Sequence, residues 1–194
     1  MEWLRLVNSE YPLKKEDIPK RLVHLHASKV YICKEVRSAF RRLNLRLKLY
    51  RLEPLVLVSG YRSYTYQEEL FNRKTHFYMN QGQSLIEAQE SASHIVARPG
   101  TSEHQTGLAI DVTTRSMRLL DDPLITDFAQ SPTGAWLTRN CYKEGFILRY
   151  PKNKVEITHI TYEPWHYRYV GKKAAYHIYK QQLCLEEYVL MHKG

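Results

Sequence analysis

The sequence predicts an α+β fold, with a small, mainly antiparallel sheet and helices packed around it in one domain spanning residues 1–194. Three observations carry that expectation. A chain of 194 residues, 43% hydrophobic and 25% charged, has the size and composition of a globular protein that buries its own core. Helical periodicity comes first along the chain, and short apolar runs separated by tight turns follow it. No internal repeat or low-complexity tract breaks that order.

Residues 1–28 read as irregular, with Pro12 and Pro19 as breakers and Lys14-Lys15-Glu16-Asp17 as a surface turn. His24 and His26 flank Leu25 and would share a face on a strand, but nothing nearby completes a metal site around them. From Ser28 to Arg51, Val36, Phe40, Leu43, Leu47 and Tyr50 recur at steps of four and three, which predicts a helix with one buried stripe, ended by Pro54. Leu55-Val56-Leu57-Val58-Ser59 is a short apolar strand stopped by Gly60. The Thr65-Tyr66-Gln67-Glu68 pattern is a capping box, so Arg62 falls in the turn between a core strand and a helix start. A second box, Ser84-Leu85-Ile86-Glu87, opens a helix over 84–95, and Arg98-Pro99-Gly100 is a turn.

Leu108 to Thr113 reads as a strand, with Ala109, Asp111 and Thr113 on one face and Leu108, Ile110 and Val112 on the other. Residues 114–132 lack periodicity and look like an insertion or lid. Thr133 to Lys143 is a short helix with Gly145 near its C′ position, and Phe146 to Tyr150 is a strand closed by Pro151. From Trp165 onward, alternation places His166, Arg168 and Val170 on one face of a strand ended by Gly171. Residues 172–191 form a last amphipathic helix, with Ala175, Ile178, Leu183, Leu185 and Leu190 as buried candidates.

The net charge of +9 invites a nucleic-acid reading, and an acidic small-molecule or cell-wall substrate is drawn by the same field. The densest basic group, Lys34, Arg37, Arg41, Arg42, Arg46, Lys48 and Arg51, lies on one predicted helix and reads as a solvated face. No nucleic-acid motif accompanies it, and no apolar run approaches the ~20 residues of a membrane span. Cys33, Cys141 and Cys184 are scattered and odd in number, which suits reduced thiols. Together with an N-terminus that has no h-region, they favour a cytoplasmic location, with the cell surface as the alternative if an anchor precedes this sequence.

The chemistry concentrates in Ser102 to Asp111 and in Glu163-Pro164-Trp165-His166. A catalytic zinc ion takes three side-chain ligands and leaves one position open. His104 and Asp111, seven apart, can come from a loop and the strand it feeds, and His166 opens another strand. Pro164 biases Glu163 away from helical angles, so this is not a helical ExxH pair, and Glu163 can stand over the open position as a base. Plain readings remain for each residue alone: His104 as a satisfied polar side chain, Asp111 as the partner of an arginine, His159 as a rival ligand. The absence of HExxH excludes a thermolysin-type helix site.

Ser102-x-His104-x-x-Gly107-x-Ala109-x-Asp111 with Glu163-Pro164-Trp165-His166-Tyr167-Arg168-Tyr169-Val170-Gly171 resembles the zinc D-alanyl-D-alanine carboxypeptidase family, of the VanY and fused VanX/VanY type. Ser59-Gly60-Tyr61-Arg62-Ser63 with Gln67 is similar to its substrate-binding turn, and Gly145 to Pro151 also matches. The likeness covers residues 55–171, and it is weaker over helix 84–95 and the 114–132 segment. It implies one Zn2+ per chain on His104, Asp111 and His166, with Glu163 as general base and then acid. It further implies that Arg62 stabilises the oxyanion or anchors substrate, that Gln67 and Ser102 bond the peptide, and that Trp165 orients the ligand loop by packing. The implied substrates are peptidoglycan-precursor stem peptides ending in D-Ala-D-Ala, whose loss removes the target of vancomycin-like antibiotics. The free dipeptide is a further candidate; Asp121 and Asp122 are candidates to meet its ammonium, with a solvated turn as the plainer reading of both. An L,D-carboxypeptidase acting on tetrapeptide stems shares the same motif. The non-enzyme alternatives are a wall-binding module and a basic nucleic-acid-binding protein.

Overall fold

In the computed structural model, which describes residues 2–192, six strands and seven α-helices form an α+β protein with small antiparallel sheets. Met1, Lys193 and Gly194, part of the expected 1–194 domain, lie outside the described residues. Contacts gather into two compact units, one of residues 2–6, 21–61 and 107–192 and one of residues 7–20 and 62–106.

The first unit carries both sheets. Residues 1–28 are not wholly irregular: Leu22–Leu25 (β1) pairs antiparallel with Val30–Cys33 (β2), and Lys29 takes a left-handed conformation in the turn between them. Helix α1 therefore begins at Lys34 rather than Ser28, because its first expected turn is used as strand. It buries Val36, Ala39, Leu43 and Leu47, at helical spacing, whereas Tyr50 is exposed. It stops well before Pro54. Arg51 at φ 54 lets Leu52 N–H donate to Leu47 O, a Schellman closure in which a residue other than glycine holds the left-handed position.

The four-stranded sheet runs β3 (Leu55–Ser59), β4 (Ala109–Thr114), β6 (His166–Tyr169), β5 (Phe146–Leu148), all neighbours antiparallel. One face, with Ile110, Val112, Tyr167 and Tyr169, joins the main core beneath α1. The other carries Asp111 and His166 directly opposite one another in the register. The expected lid at 114–132 contains two 3-10 turns, Met117–Leu119 and Thr126–Gln130, and Phe128 anchors it in the core while Leu119 stays exposed. α4 (Pro132–Asn140) stops before the expected Lys143 and passes into a 3-10 turn, Cys141–Glu144, which Gly145 closes in a left-handed conformation at φ 90. One short helix, α5 (Val155–Thr158), falls before the Glu163 turn.

The single helix expected over 172–191 is two: α6 (Lys172–Gln181) and α7 (Leu185–Met191). Gln182 at φ 53 ends α6, and Glu187 accepts from Cys184 N–H at 2.7 Å to start α7. A capping box with cysteine in the place of serine is hard to see in sequence. Ala175, Ile178 and Leu185 are buried as expected, but Leu190 is exposed.

In the second unit, α2 (Tyr64–Met79) packs on α3 (Leu85–Ser93), burying Phe71, Ala88 and Ala92. The α3 cap is the expected Ser84–Glu87 box, whereas α2 is capped by Ser63, whose hydroxyl accepts from Tyr66 N–H at 3.1 Å, and not by Thr65.

The basic face of α1 is only partly solvated. Arg42 and Arg46 donate to the buried Glu144 at 2.5 and 2.7 Å, and Lys172 approaches it at 3.0 Å. Burial pushes the Glu144 pKa up, but hydrogen bonds from Arg42, Arg46 and Lys172 outweigh it and hold the group at about 2. The depressed value means that this stabilisation is complete above the ordinary 4.5 and is lost as pH falls towards 2. Because Arg42 and Lys172 are half exposed and screened, we expect Glu144→Gln to cost about 1–2 kcal/mol at neutral pH. That corresponds to a Tm lower by about 2–8 °C, with the gap from wild type closing below pH 4.5. A gap that stays constant from pH 6 to 3 in thermal melts contradicts the assignment.

Candidate metal centre

Three elements deliver the candidate ligands. A 3-10 turn, Glu103–Thr106, presents His104, and the Ser102 hydroxyl accepts from His104 N–H at 3.4 Å at the start of that turn. Gly107, at φ 66, then swings the chain into β4. A Cβ there would meet Leu22 and the Cys33 sulfur at 3.0 Å or less, so only glycine fits. Asp111 sits in the middle of β4, opposite His166 at the first position of β6. In an antiparallel pair, opposite residues share a face with their Cβ atoms ~5 Å apart. Accordingly, His166 Nδ1 lies 3.0 Å from Asp111 Oδ1.

One ligand atom from each of His104, Asp111 and His166 lies within 4.8 Å of the others, and all three residues are buried. Two imidazole nitrogens and a carboxylate oxygen suit zinc, whose ~2.0–2.1 Å bonds place tetrahedral neighbours about 3.3 Å apart. The 3.0 Å between Asp111 and His166 is close to that edge. A buried carboxylate costs several kcal/mol unless paired or metal-bound. Here the same imidazole that partners it completes the donor set, so the residues fit the ion.

Glu163 precedes His166 by three residues across Pro164, and its Oε2 lies 3.6 Å from His166 Nδ1. Backbone bonds fix this turn: Glu163 N–H donates to Tyr150 O at 3.2 Å, and His166 N–H donates to Glu163 O at 3.1 Å. Its side chain is one quarter exposed, open to substrate in a way the ligands are not. Trp165 packs against the main core and accepts from Val112 N–H at 3.0 Å, the packing role expected of it.

Arg62 N–H donates to His104 O at 3.2 Å, so the turn after β3 is pinned to the ligand turn. The Arg62 guanidinium donates to Gln67 Oε1 at 3.0 Å, and Gln67 Nε2 donates to Ala97 O at 2.7 Å. The buried Gln67 amide is thus engaged at both ends. His159 caps α5 in a left-handed conformation, exposed and outside the ligand group. Asp121 and Asp122 are exposed, and Asp122 accepts from Leu124 N–H in its own turn at 3.0 Å. Residue-by-residue reading of the sequence missed the ring of Tyr150, which lies 4.9 Å from that of His166, centroid to centroid. The Gly145–Pro151 stretch was its one available signal.

The sequence pattern of one family, VanY: D-alanyl-D-alanine carboxypeptidase, matches residues 29–172. The chain belongs to this family. It is 39% identical over 191 residues to the bifunctional D-Ala-D-Ala dipeptidase and carboxypeptidase VanXYC of Enterococcus gallinarum, covering 97% of this chain and 94% of that one. YodJ of Bacillus subtilis strain 168 is 42% identical over 193 residues, 95% of this chain. The chain spans 66% of YodJ, and 47% and 57% of D-alanyl-D-alanine carboxypeptidases of Enterococcus faecalis and Enterococcus faecium.

Among solved structures, VanYB in complex with D-alanine-D-alanine matches with a TM-score of 0.84 at 35% identity, over all of both chains. A VanY variant from a VanB-type resistance cassette, solved with Zn(II), matches at 0.80 and 35%, covering 97% of this chain and 99% of that one. The LD-carboxypeptidase LdcB matches at 0.82 and 40%, covering 95% and 84%. The zinc ion in a VanY relative and the His104, Asp111 and His166 cluster here agree on the metal.

Metal analysis checks the ligand set. His166→Ala and Asp111→Ala should weaken zinc binding by more than the roughly 10–100-fold cost of losing an outer partner. Glu163→Ala should retain zinc at one per chain. A His166→Ala protein that binds zinc with wild-type affinity contradicts the site.

Proposed function

We propose that this VanY-family chain is a zinc carboxypeptidase that removes the terminal D-alanine from peptidoglycan-precursor stem peptides ending in D-Ala-D-Ala. The observation that carries the reading is the buried His104, Asp111 and His166 cluster with Glu163 Oε2 3.6 Å from the ligand imidazole. A zinc ion held by those three residues supplies Lewis-acid polarisation of the scissile carbonyl and makes a water more acidic.

The remaining chemistry belongs to side chains. Glu163 takes a proton as the water oxygen bonds to the carbonyl carbon, then gives it to the departing amine nitrogen as the C–N bond breaks. Peptide and water thus become a carboxylate and D-alanine. Arg62, its guanidinium held by Gln67, donates to the developing oxyanion or to the terminal carboxylate of the substrate. In this reading Gln67 serves substrate by holding Arg62, and the half of the Ser102 hydroxyl not facing His104 N–H bonds the peptide. The net charge of +9 draws anionic precursors by its long-range field. We place the activity in the cytoplasm, where three buried free thiols stay reduced. No helix among the described residues is long and apolar enough to cross a membrane.

A second reading, L,D-carboxypeptidase action on tetrapeptide stems, is favoured by the likeness to LdcB, at 40% identity. The exposed Asp121 and Asp122 lend no support to cleavage of the free dipeptide.

Zinc-loaded protein assayed for D-alanine release should act on the pentapeptide, with less release from free D-Ala-D-Ala and from the tetrapeptide. Release from the tetrapeptide alone moves the assignment to the L,D reading. Glu163→Ala should keep its zinc and lose about 10²–10⁴-fold in kcat; a near-normal rate sinks the base assignment.

A further inference from the structure

Arg149 is among the largest fully buried side chains, and nothing in the reaction above uses it. Its guanidinium grips Glu186, the second residue of α7, through two bonds: Nη1 to Oε2 at 2.9 Å and Nη2 to Oε1 at 2.5 Å. The same guanidinium stands 4.8 Å from the centre of the Tyr150 ring. The imidazole of His166 also packs against that ring, at 4.9 Å between centroids and tilted by 41°. The backbone repeats the link, since Arg149 N–H donates to His166 O at 3.2 Å and Tyr150 O accepts from Glu163 N–H at 3.2 Å.

We propose that Glu186, acting through Arg149 and the Tyr150 ring, is a positioning residue that sets the orientation of the zinc ligand His166. The physical argument is one of stiffness. A forked, two-bond carboxylate–guanidinium pair fixes the plane of the guanidinium, not merely its place. A cation over an aromatic face then fixes the ring, and the ring fixes the imidazole packed against it. A ligand imidazole turned by a few tens of degrees points its nitrogen away from the ion, so zinc affinity reads that orientation directly. Outer partners bonded directly to a ligand are worth roughly 10–100-fold in metal affinity, and the relay through Tyr150 takes that as its scale. The consequence is that α7, at the far end of the chain from the other ligands, belongs to the metal centre.

The neighbouring residue supplies the control. Glu187 also ties α7 to the body through an ion pair, to Lys154 at 2.8 Å, and caps the helix at Cys184 N–H. Neither of those contacts leads to His166. The proposal rests on His166 being a zinc ligand, so the wild-type protein is titrated first against a competing chelator. Failure of the wild type to bind zinc at His166 overturns that reading, separately from the proposal.

Given wild-type binding, Glu186→Ala should weaken zinc affinity about 10–100-fold and lower kcat with little change in KM. Glu186→Gln, which keeps one of the two acceptor oxygens and so cannot close the fork, should recover only part of the affinity. Glu187→Ala should lower Tm without moving zinc affinity. Because Glu186→Ala leaves a buried guanidinium without its carboxylate and can misfold, the decisive variant is the pair Arg149→Met with Glu186→Leu, which fills the space with apolar side chains. If the ion pair only stabilises, this double variant melts near wild type and binds zinc like wild type, which overturns the proposal. If it positions His166, zinc affinity stays weakened roughly tenfold or more although the protein is folded. Equal loss of zinc affinity in Glu187→Ala and Glu186→Ala overturns it as well.

Discussion

The metal centre depends on the register between β4 and β6. Asp111 faces His166 across that pair, and only this alignment sets the carboxylate 3.0 Å from the imidazole on the face turned away from the main core. A slip of one residue would send Asp111 among Ile110, Val112 and Tyr167, where an ionised acid has no partner and costs several kcal/mol. The hydrophobic pattern of both strands resists that slip, because it would also turn apolar side chains out of the core. Chemistry and packing therefore select the same register.

The strand bearing His166 is held from both sides of the sequence. Arg168, two residues on and fully buried, donates to the carbonyls of Trp3 and Arg5 at 3.1 and 2.8 Å. Arg149, on the stretch that follows β5, reaches Glu186 in α7. A buried guanidinium is tolerable only where its donors are met, so these two arginines force the first residues of the unit and its last helix into defined places. The metal centre thus sits on a sheet held by specific polar contacts as well as by its apolar core. The Glu144 cluster does the same for α1, drawing Arg42, Arg46 and Lys172 to one carboxylate.

Much of this was legible in the sequence, for reasons that differ by residue. The alternation in Leu108–Thr113 placed Asp111 on the face opposite Ile110 and Val112, which the structure bears out. The ligand set came from residue types and spacing taken together with the family resemblance, because His104 and Asp111 each had a plainer reading when taken alone. What stayed hidden was long-range pairing. That Asp111 meets His166, 55 residues away, follows from a register that neither strand states alone. The same holds for Arg42 with Glu144 and for Arg149 with Glu186. Local misreadings had local causes: Arg51 and Gln182 end helices in left-handed conformations usually left to glycine, and Cys184 caps a helix in the place of serine. The run Val30–Cys33 merged with the periodicity of α1 and so hid a strand.

The central claim is that one zinc ion is held by two imidazoles and the β4 carboxylate, with cysteine sulfur playing no part. X-ray absorption at the zinc edge of the metal-loaded protein tests it most directly. The account predicts nitrogen and oxygen neighbours at about 2.0–2.1 Å with outer scattering from two imidazole rings. A sulfur neighbour near 2.3 Å, or scattering from one or three imidazoles, would contradict it.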